Sequence, residues 1–204
     1  AKVLLLGRDD EVPRAYAWQV GDALKHLPEG HRLRLLLQEI FNQSTGQVQL
    51  MVVRITAVDA EGRPDGPETH WVPWQGLQRR VHYRAGVRHG EESFFSRDGG
   101  ERLYVHKSIP WEEGVVHGVV KLFYPDGKVL SEAPHVRGVL EGESRSYARD
   151  GFVTRSVRYK AGQRDGELVE HWPRTRKIKQ SVPYRMGKVH GTVRQHYESG
   201  QLKR

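Results

Sequence analysis

The sequence predicts a mainly β protein, an elongated single-layer antiparallel array of stacked β-hairpins with a short N-terminal helical segment. Three features predict it: a recurring Gly-x-x-x-Gly motif, a second glycine turn about nine residues after each motif, and an aromatic residue just before that turn. Repetition at a fixed period of about 20–50 residues is typical of stacked-repeat proteins. We therefore expect one hairpin in each period of about 24 residues.

Residues 1–37 do not follow the repeat, and we assign them to a cap or docking segment. "KVLLL" at 2–6 predicts a short strand, and the apolar spacing over 11–27 predicts an amphipathic helix. "HRLRLLLQEIF" at 31–41 fits either a helix or a strand. We predict a strand, because residues 47–58 are rich in β-branched side chains and need a neighbour. Such a cap would cover the open edge of the array.

Residues 38–204 are predicted to form the repeat domain, with 38–57 as a degenerate first repeat. The Gly-x-x-x-Gly motif occurs in steps of 24, 28, 24, 24 and 25 residues, as GRPDG at 62–66, GVRHG at 86–90, GVVHG at 114–118, GVLEG at 138–142, GQRDG at 162–166 and GKVHG at 187–191. Asp-Gly and Ser-Gly dipeptides mark the second turns, where glycine accepts a positive φ. We predict such a φ for Gly127 in "PDGK".

Taken together, these motifs resemble the MORN repeat variant over residues 58–204. That repeat is found in bacterial proteins described as antitoxin components of toxin–antitoxin systems. The resemblance implies hairpins stacked in an elongated, twisted sheet, a binding or scaffolding role, and no established catalytic residues. Two departures from the pattern stand out: the repeat at 86–114 carries four extra residues, and "WPRTR" at 172–176 replaces the glycine turn.

Three of the Gly-x-x-x-Gly motifs have histidine at the fourth position: His89, His117 and His190. These histidines could be either metal ligands or turn residues. Equivalent residues of neighbouring hairpins lie about 10 Å apart, which is two strand spacings. Two histidines cannot share a zinc ion over that distance, because each nitrogen must lie about 2.0–2.1 Å from the metal. Other repeats place an acid at the same position: Asp65, Glu141 and Asp165. We therefore predict polar turn residues and no metal site.

The composition argues against an enzyme. The chain has no cysteine, which excludes thiol catalysis, disulfides and cysteine-ligated zinc. It contains no phosphate-cradling glycine loop, nucleophile elbow or zinc-protease motif. We expect no catalytic residue and no cofactor. No apolar run approaches the ~20 residues of a membrane span, and no signal peptide is recognisable, so we expect a cytoplasmic protein.

The positive charge lies at one end of the sequence. Residues 1–136 hold 17 Lys and Arg against 18 Asp and Glu, whereas residues 137–204 hold 16 against 7. This asymmetry is typical of a surface that meets an acidic partner or a nucleic acid, although a solvated basic surface would also show it.

Two irregular segments provide the candidate binding residues. "ERLYVHKSIPWEEG" at 101–114 contains the four-residue insertion, and insertions in repeat proteins often emerge as loops on the binding face. Its tryptophan also fills a recurrent aromatic position, where it would pack inside the array. "WPRTRKIKQ" at 172–180 places basic residues beside an aromatic, either to hold an anionic partner or to discourage edge pairing. The candidate residues are Trp111, Trp172, Arg174, Arg176, Lys177 and Lys179.

We expect a non-enzymatic protein-binding or scaffold protein, either antitoxin-like or an accessory subunit of a larger assembly. The alternative is binding to nucleic acid or another anionic surface through residues 137–204.

Overall fold

A computed structural model describes residues 1–73 and 75–203. It confirms the predicted class: the protein is mainly β and built from antiparallel hairpins, with one short helix near the N-terminus. No helix within these residues is long and apolar enough to cross a membrane. Residue contacts divide the chain into two units, the N-terminal unit Ala1–Phe95 and the C-terminal unit Ser96–Arg204.

The elements that begin in the N-terminal unit are β1 Lys2–Leu6, a 3-10 turn Arg14–Tyr16, α1 Ala17–Lys25, β2 Arg32–Asn42, β3 Gln47–Val58, β4 Pro64–Val72, β5 Gly76–Arg84, β6 Val87–Arg88 and β7 Gly90–Arg97. Those of the C-terminal unit are β8 Leu103–Glu112, β9 Val115–Val116, β10 Gly118–Phe123, β11 Val129–Val136, β12 Val139–Leu140, β13 Gly142–Tyr147, β14 Val153–Lys160, β15 Gln163–His171, β16 Ile178–Arg185, β17 Lys188–Val189 and β18 Arg194–Gln195.

In the N-terminal unit, the helix covers one face of the first hairpins. The predicted strand at 31–41 is confirmed as β2, which pairs with β3 across the 42–47 turn and with β1 on its other side. Val20 and Leu24 lie four residues apart on α1, and both are buried in the core of this unit with Leu33, Leu35 and other apolar residues of the sheet. Fully burying an aliphatic side chain of this size stabilises a protein by about 1.5–3 kcal/mol.

The helix is shorter than the predicted span of 11–27. Pro13 has φ −55° and ψ 132°, which is outside the helical region, and a 3-10 turn separates it from α1. Regular helix therefore begins only at Ala17 and ends at Lys25.

Two carboxylates are buried in the N-terminal unit, and each has a specific partner. Burial alone would raise the pKa of Glu68, but hydrogen bonds from His70 and Thr56 hold that pKa below its usual value. Glu92, whose side chain is 2% exposed, forms an ion pair with Arg79 on β5. Buried charges are tolerated when they are paired in this way.

The C-terminal unit has little interior. Its buried apolar cluster consists of Val157, Leu168 and Val182, which lie opposite one another on β14, β15 and β16. Tyr159 and Tyr184 pack against this cluster. Since few side chains are fully buried, backbone ladders and cross-strand contacts hold this sheet together.

The sequence left open whether the four-residue insertion forms a loop, and the structure places the extra residues in strands. The turn Asp98–Arg102 is closed by a 3.3 Å bond from the Asp98 N–H to the Arg102 carbonyl, just as Tyr124–Lys128 is closed by a 2.8 Å bond. Because both turns span five residues, the extra residues lengthen β7 and β8 instead. Trp111 accordingly lies within β8, half-buried and opposite Val116.

Candidate partner-binding grooves

The two-residue turns that contain the first glycine of a Gly-x-x-x-Gly motif, which we call first turns, have a strained backbone. Ala161 and Gly162, which join β14 to β15, have φ values of 49° and 78°. Positive φ at both central residues defines the hairpin turn that matches the twist of its strands. The first of these two residues is never glycine in this chain: it is Ala85, Glu113, Arg137, Ala161 or Met186, with φ between 47° and 50°.

The polar residue at the fourth position of Gly-x-x-x-Gly holds the following first turn. The carboxylate of Glu141 accepts the Ala161 N–H at 2.7 Å, which ties one repeat to the next. The same bond recurs from Ala85 to Asp65 at 3.1 Å, from Arg137 to Nδ1 of His117 at 3.4 Å, and from Met186 to Asp165 at 3.4 Å. The position therefore requires a hydrogen-bond acceptor, which Asp, Glu and an imidazole nitrogen all provide.

The three motif histidines lie just outside the two-residue turns: His89 and His117 fall in the break between a short strand and the next strand, and His190 follows β17. His117 holds the turn at Arg137, and the N–H groups of His89 and His190 donate to the carbonyls of His82 and Pro183 at 2.9 Å. Among residues 1–73 and 75–203, no group of three or more His, Cys, Asp or Glu side chains could hold a metal ion.

The same acceptor position also anchors the N-terminal segment. Nε2 of His31 lies 2.8 Å from the carboxylate of Asp65. The hydrogen bond between them raises the pKa of His31 and lowers the pKa of Asp65, because each charged form is stabilised by the other. Residues before the repeats are thus fixed to the first motif.

At one second turn of the C-terminal unit, Arg176 stands at the position where glycine holds a positive φ in other turns. Three of these turns close with glycine in a positive φ, including the predicted Gly127 at 86°, with Gly151 at 87° and Gly200 at 95°. The turn Trp172–Lys177 is one residue longer, and Arg176 takes the glycine position with φ 58°. A left-handed conformation costs a non-glycine residue about 1–2 kcal/mol.

Two equivalent grooves lie between successive second turns of this unit. Groove 1, of about 530 Å³, is lined by Lys128, Glu132, Tyr147 and Asp150 among others. Groove 2, of about 670 Å³, is lined by His171, Arg176, Lys177, His196 and Ser199 among others. Each contains a lysine that bridges to the next turn: Lys128 donates to the Arg149 carbonyl at 2.9 Å, and Lys177 donates to the Ser199 carbonyl at 2.6 Å.

Five of the six predicted binding residues lie at or beside groove 2. Arg176 and Lys177 line it, and Lys179 lies 5.3 Å from the ring of the half-buried Trp172. Arg174 is exposed in the same turn and makes no hydrogen bond or ion pair with any residue that the structure describes. Trp111 lines neither groove.

Local contacts fix the groove 2 residues. The Arg176 guanidinium donates to Asp150 at 2.6 Å and lies 5.2 Å from the ring of Phe152. The indole N–H of Trp172 donates to the carbonyl of His196 at 3.3 Å. These bonds connect three successive second turns and set the direction in which the basic side chains point.

Sequence reasoning missed His171 and His196 in the groove wall. Both stand five residues after the second glycine of a motif, at the position that Phe95, Phe123 and Tyr147 fill in other repeats. This substitution of histidine for an aromatic residue was the available signal. Nδ1 of each imidazole is buried and has no hydrogen-bond partner among the described residues.

Comparison with known families agrees with this geometry. The model of the MORN repeat variant matches residues 116–136 and 189–204. These two short segments are similar to MORN-variant repeats. Each matched MORN-variant segment begins inside a Gly-x-x-x-Gly motif and includes the next second turn, at Gly127 or Gly200. No curated protein matches the chain.

Proposed function

We propose that this chain is a non-enzymatic scaffold that binds a protein partner along the second turns of its C-terminal unit. The observation that supports the proposal is the recurrence of a lysine-bearing groove at equivalent positions two repeats apart. Repeat proteins bind extended partners through surfaces of this kind, because each repeat presents the same contact again. The role would be that of an antitoxin-like neutralising protein or an accessory subunit.

The charge of this region favours an acidic partner. Residues 137–204 hold 16 Lys and Arg against 7 Asp and Glu, and several of the basic side chains belong to second turns. Charge complementarity of this kind accelerates association and excludes partners of the wrong sign. An extended acidic segment would meet a groove lysine about every 20 Å, which is twice the spacing of successive hairpins.

Reversing two charges tests the proposal. We expect Arg174→Glu with Lys177→Glu to abolish co-purification of the partner from the native source. The melting temperature should hardly change, because Arg174 has no described partner and Lys177 loses one exposed bond. The matched control is Arg137→Glu with Arg185→Glu, two exposed arginines at first turns of the same unit. Loss of the partner from both double variants, or from neither, would contradict the proposal.

Binding to nucleic acid stays a second prediction, favoured by the same basic charge. It would weaken steeply between about 50 and 200 mM salt, because counterions are released from the phosphates. Fluorescence polarisation with a labelled single strand measures this directly. No rise in polarisation at the lower salt concentration would exclude the nucleic-acid alternative.

A further inference from the structure

We infer that groove 2 is a carboxylate-binding site that receives an acidic peptide side chain, with Arg176 as the residue that determines specificity. The inference rests on the proposed function, because it names the chemistry that the second turns recognise. It depends on how groove 2 differs from groove 1, which occupies the equivalent position between two earlier second turns of the same unit.

Three replacements convert the lining from acidic to basic. Groove 1 contains Lys128 together with two carboxylates, those of Glu132 and Asp150. In groove 2, Ser199 stands where Asp150 stands in groove 1, and Arg176 stands in place of Gly127. The third replacement is His196 for Tyr147. The counterpart of Glu132 is Ser181, which does not line groove 2. The described residues that line groove 2 therefore include two permanent cations and no carboxylate.

Arg176 occupies its position at a cost to the backbone. In three other second turns of this unit, a glycine holds the positive φ: Gly127, Gly151 and Gly200. At the equivalent position Arg176 holds a φ of 58°. Strained residues are concentrated at binding and catalytic sites, where the side chain compensates for the backbone it requires. One face of the guanidinium lies against Phe152 and one N–H is donated to Asp150, while the side chain remains 59% exposed. An arginine held in this way can offer its remaining N–H groups to a carboxylate in a fixed direction.

The second cation lies next to the first. Lys177 follows Arg176 directly and donates one of its three N–H groups to the Ser199 carbonyl, which holds the ammonium at the groove. His171 and His196 form the wall with buried, unpartnered Nδ1 atoms, a further feature that costs stability.

The aromatic rings nearby favour a peptide over a nucleic acid. Bases bind single-stranded sites by stacking on open aromatic faces. Here Lys179 covers one face of Trp172 at 5.3 Å, and Arg176 covers one face of Phe152 at 5.2 Å. His171 packs edge-on to Phe152 at 5.3 Å. Tyr197, in the turn that bounds groove 2, likewise has Lys203 5.1 Å from its ring. A cation therefore occupies one face of each of these rings, whereas the cations of groove 2 remain accessible to a carboxylate.

An NMR titration of the full chain with N-acetylated, C-amidated tetraglutamate tests the inference. We expect saturable shifts at groove 2, no such shifts with the matching tetraglutamine peptide, and an affinity at least fivefold lower in Arg176→Gly. This variant should fold normally, since it supplies the glycine that the other turns use. The control is Arg137→Gly, which removes the same charge from another positive-φ arginine of this unit and should leave the affinity unchanged.

Equal loss of affinity in the two variants would overturn the inference, as would shifts that never saturate. Tighter, Arg176-dependent binding of a single-stranded oligonucleotide would also overturn it in favour of a nucleic acid. If tetraglutamate fails to bind while the partner is still lost on Arg174→Glu with Lys177→Glu, the scaffold proposal stands and only the carboxylate site is wrong.

Discussion

Replacing Gly142 with alanine is expected to lower the free energy of unfolding by about 3 kcal/mol, because two separate penalties combine. Gly142 has a φ of 105°, a conformation that side chains with a Cβ rarely adopt. A Cβ at this position would lie 3.2 Å from Cγ of Pro134. The proline ring cannot rotate away as a flexible side chain could. Urea denaturation of the parent and the variant measures the difference.

Gly127→Ala is the matched control for the close approach. Gly127 also has a positive φ, at 86°, but nothing lies within 4 Å of its ideal Cβ. We expect a loss of about 1 kcal/mol, from the backbone alone. Equal losses in the two variants would show that the contact with Pro134 does not limit the residue at 142.

Replacing Arg79 with methionine is expected to cost about 3 kcal/mol, because it leaves the charge of Glu92 buried without its ion-pair partner. The Glu92 side chain is 2% exposed and that of Arg79 is 23% exposed, so water does not replace the lost contact. Methionine retains much of the apolar stem of Arg79 but removes the guanidinium, which lies 5.8 Å from the centre of the Phe94 ring. Chemical denaturation at neutral pH gives the difference in unfolding free energy.

The double variant Arg79→Met with Glu92→Met separates the buried charge from packing. If the lost ion pair with Arg79 causes the destabilisation, removing the buried charge as well restores stability to within about 1 kcal/mol of the parent. A double variant as unstable as Arg79→Met alone would show that the arginine stem contributes packing that methionine cannot supply.

The repeat itself could be predicted because its glycines are required by geometry. A first turn needs a positive φ before a short strand, and the second glycine of the motif needs room beside the neighbouring strand, as Gly142 does beside Pro134. These demands recur with every hairpin, so the sequence repeats them. The strand at 31–41 was predictable for a related reason: β3 is apolar and β-branched, and it requires a neighbour.

Other features depend on contacts between residues distant in sequence. The acceptor at the fourth motif position bonds to an N–H about 20 residues later, as Glu141 does with Ala161, so a single motif does not reveal its purpose. The sequence leaves the placement of the insertion at 86–114 open, because it does not show that the extra residues divide between β7 and β8. Sequence analysis identified only part of groove 2. Its basic residues form a continuous run in the sequence, whereas His171 and His196 lie 25 residues apart and line the same groove only once the hairpins pair.

Amide hydrogen exchange at Ala161 tests the central claim most directly, namely that the polar residue of each motif holds the turn of the next repeat. In the parent protein the Ala161 N–H donates to Glu141, so it should exchange slowly for a residue in an exposed turn. In Glu141→Leu, which keeps the size of the side chain but removes the acceptor, we predict exchange at least tenfold faster at Ala161, with Ala85 unchanged. Equal exchange rates at Ala161 in the two proteins would contradict this account of the repeat.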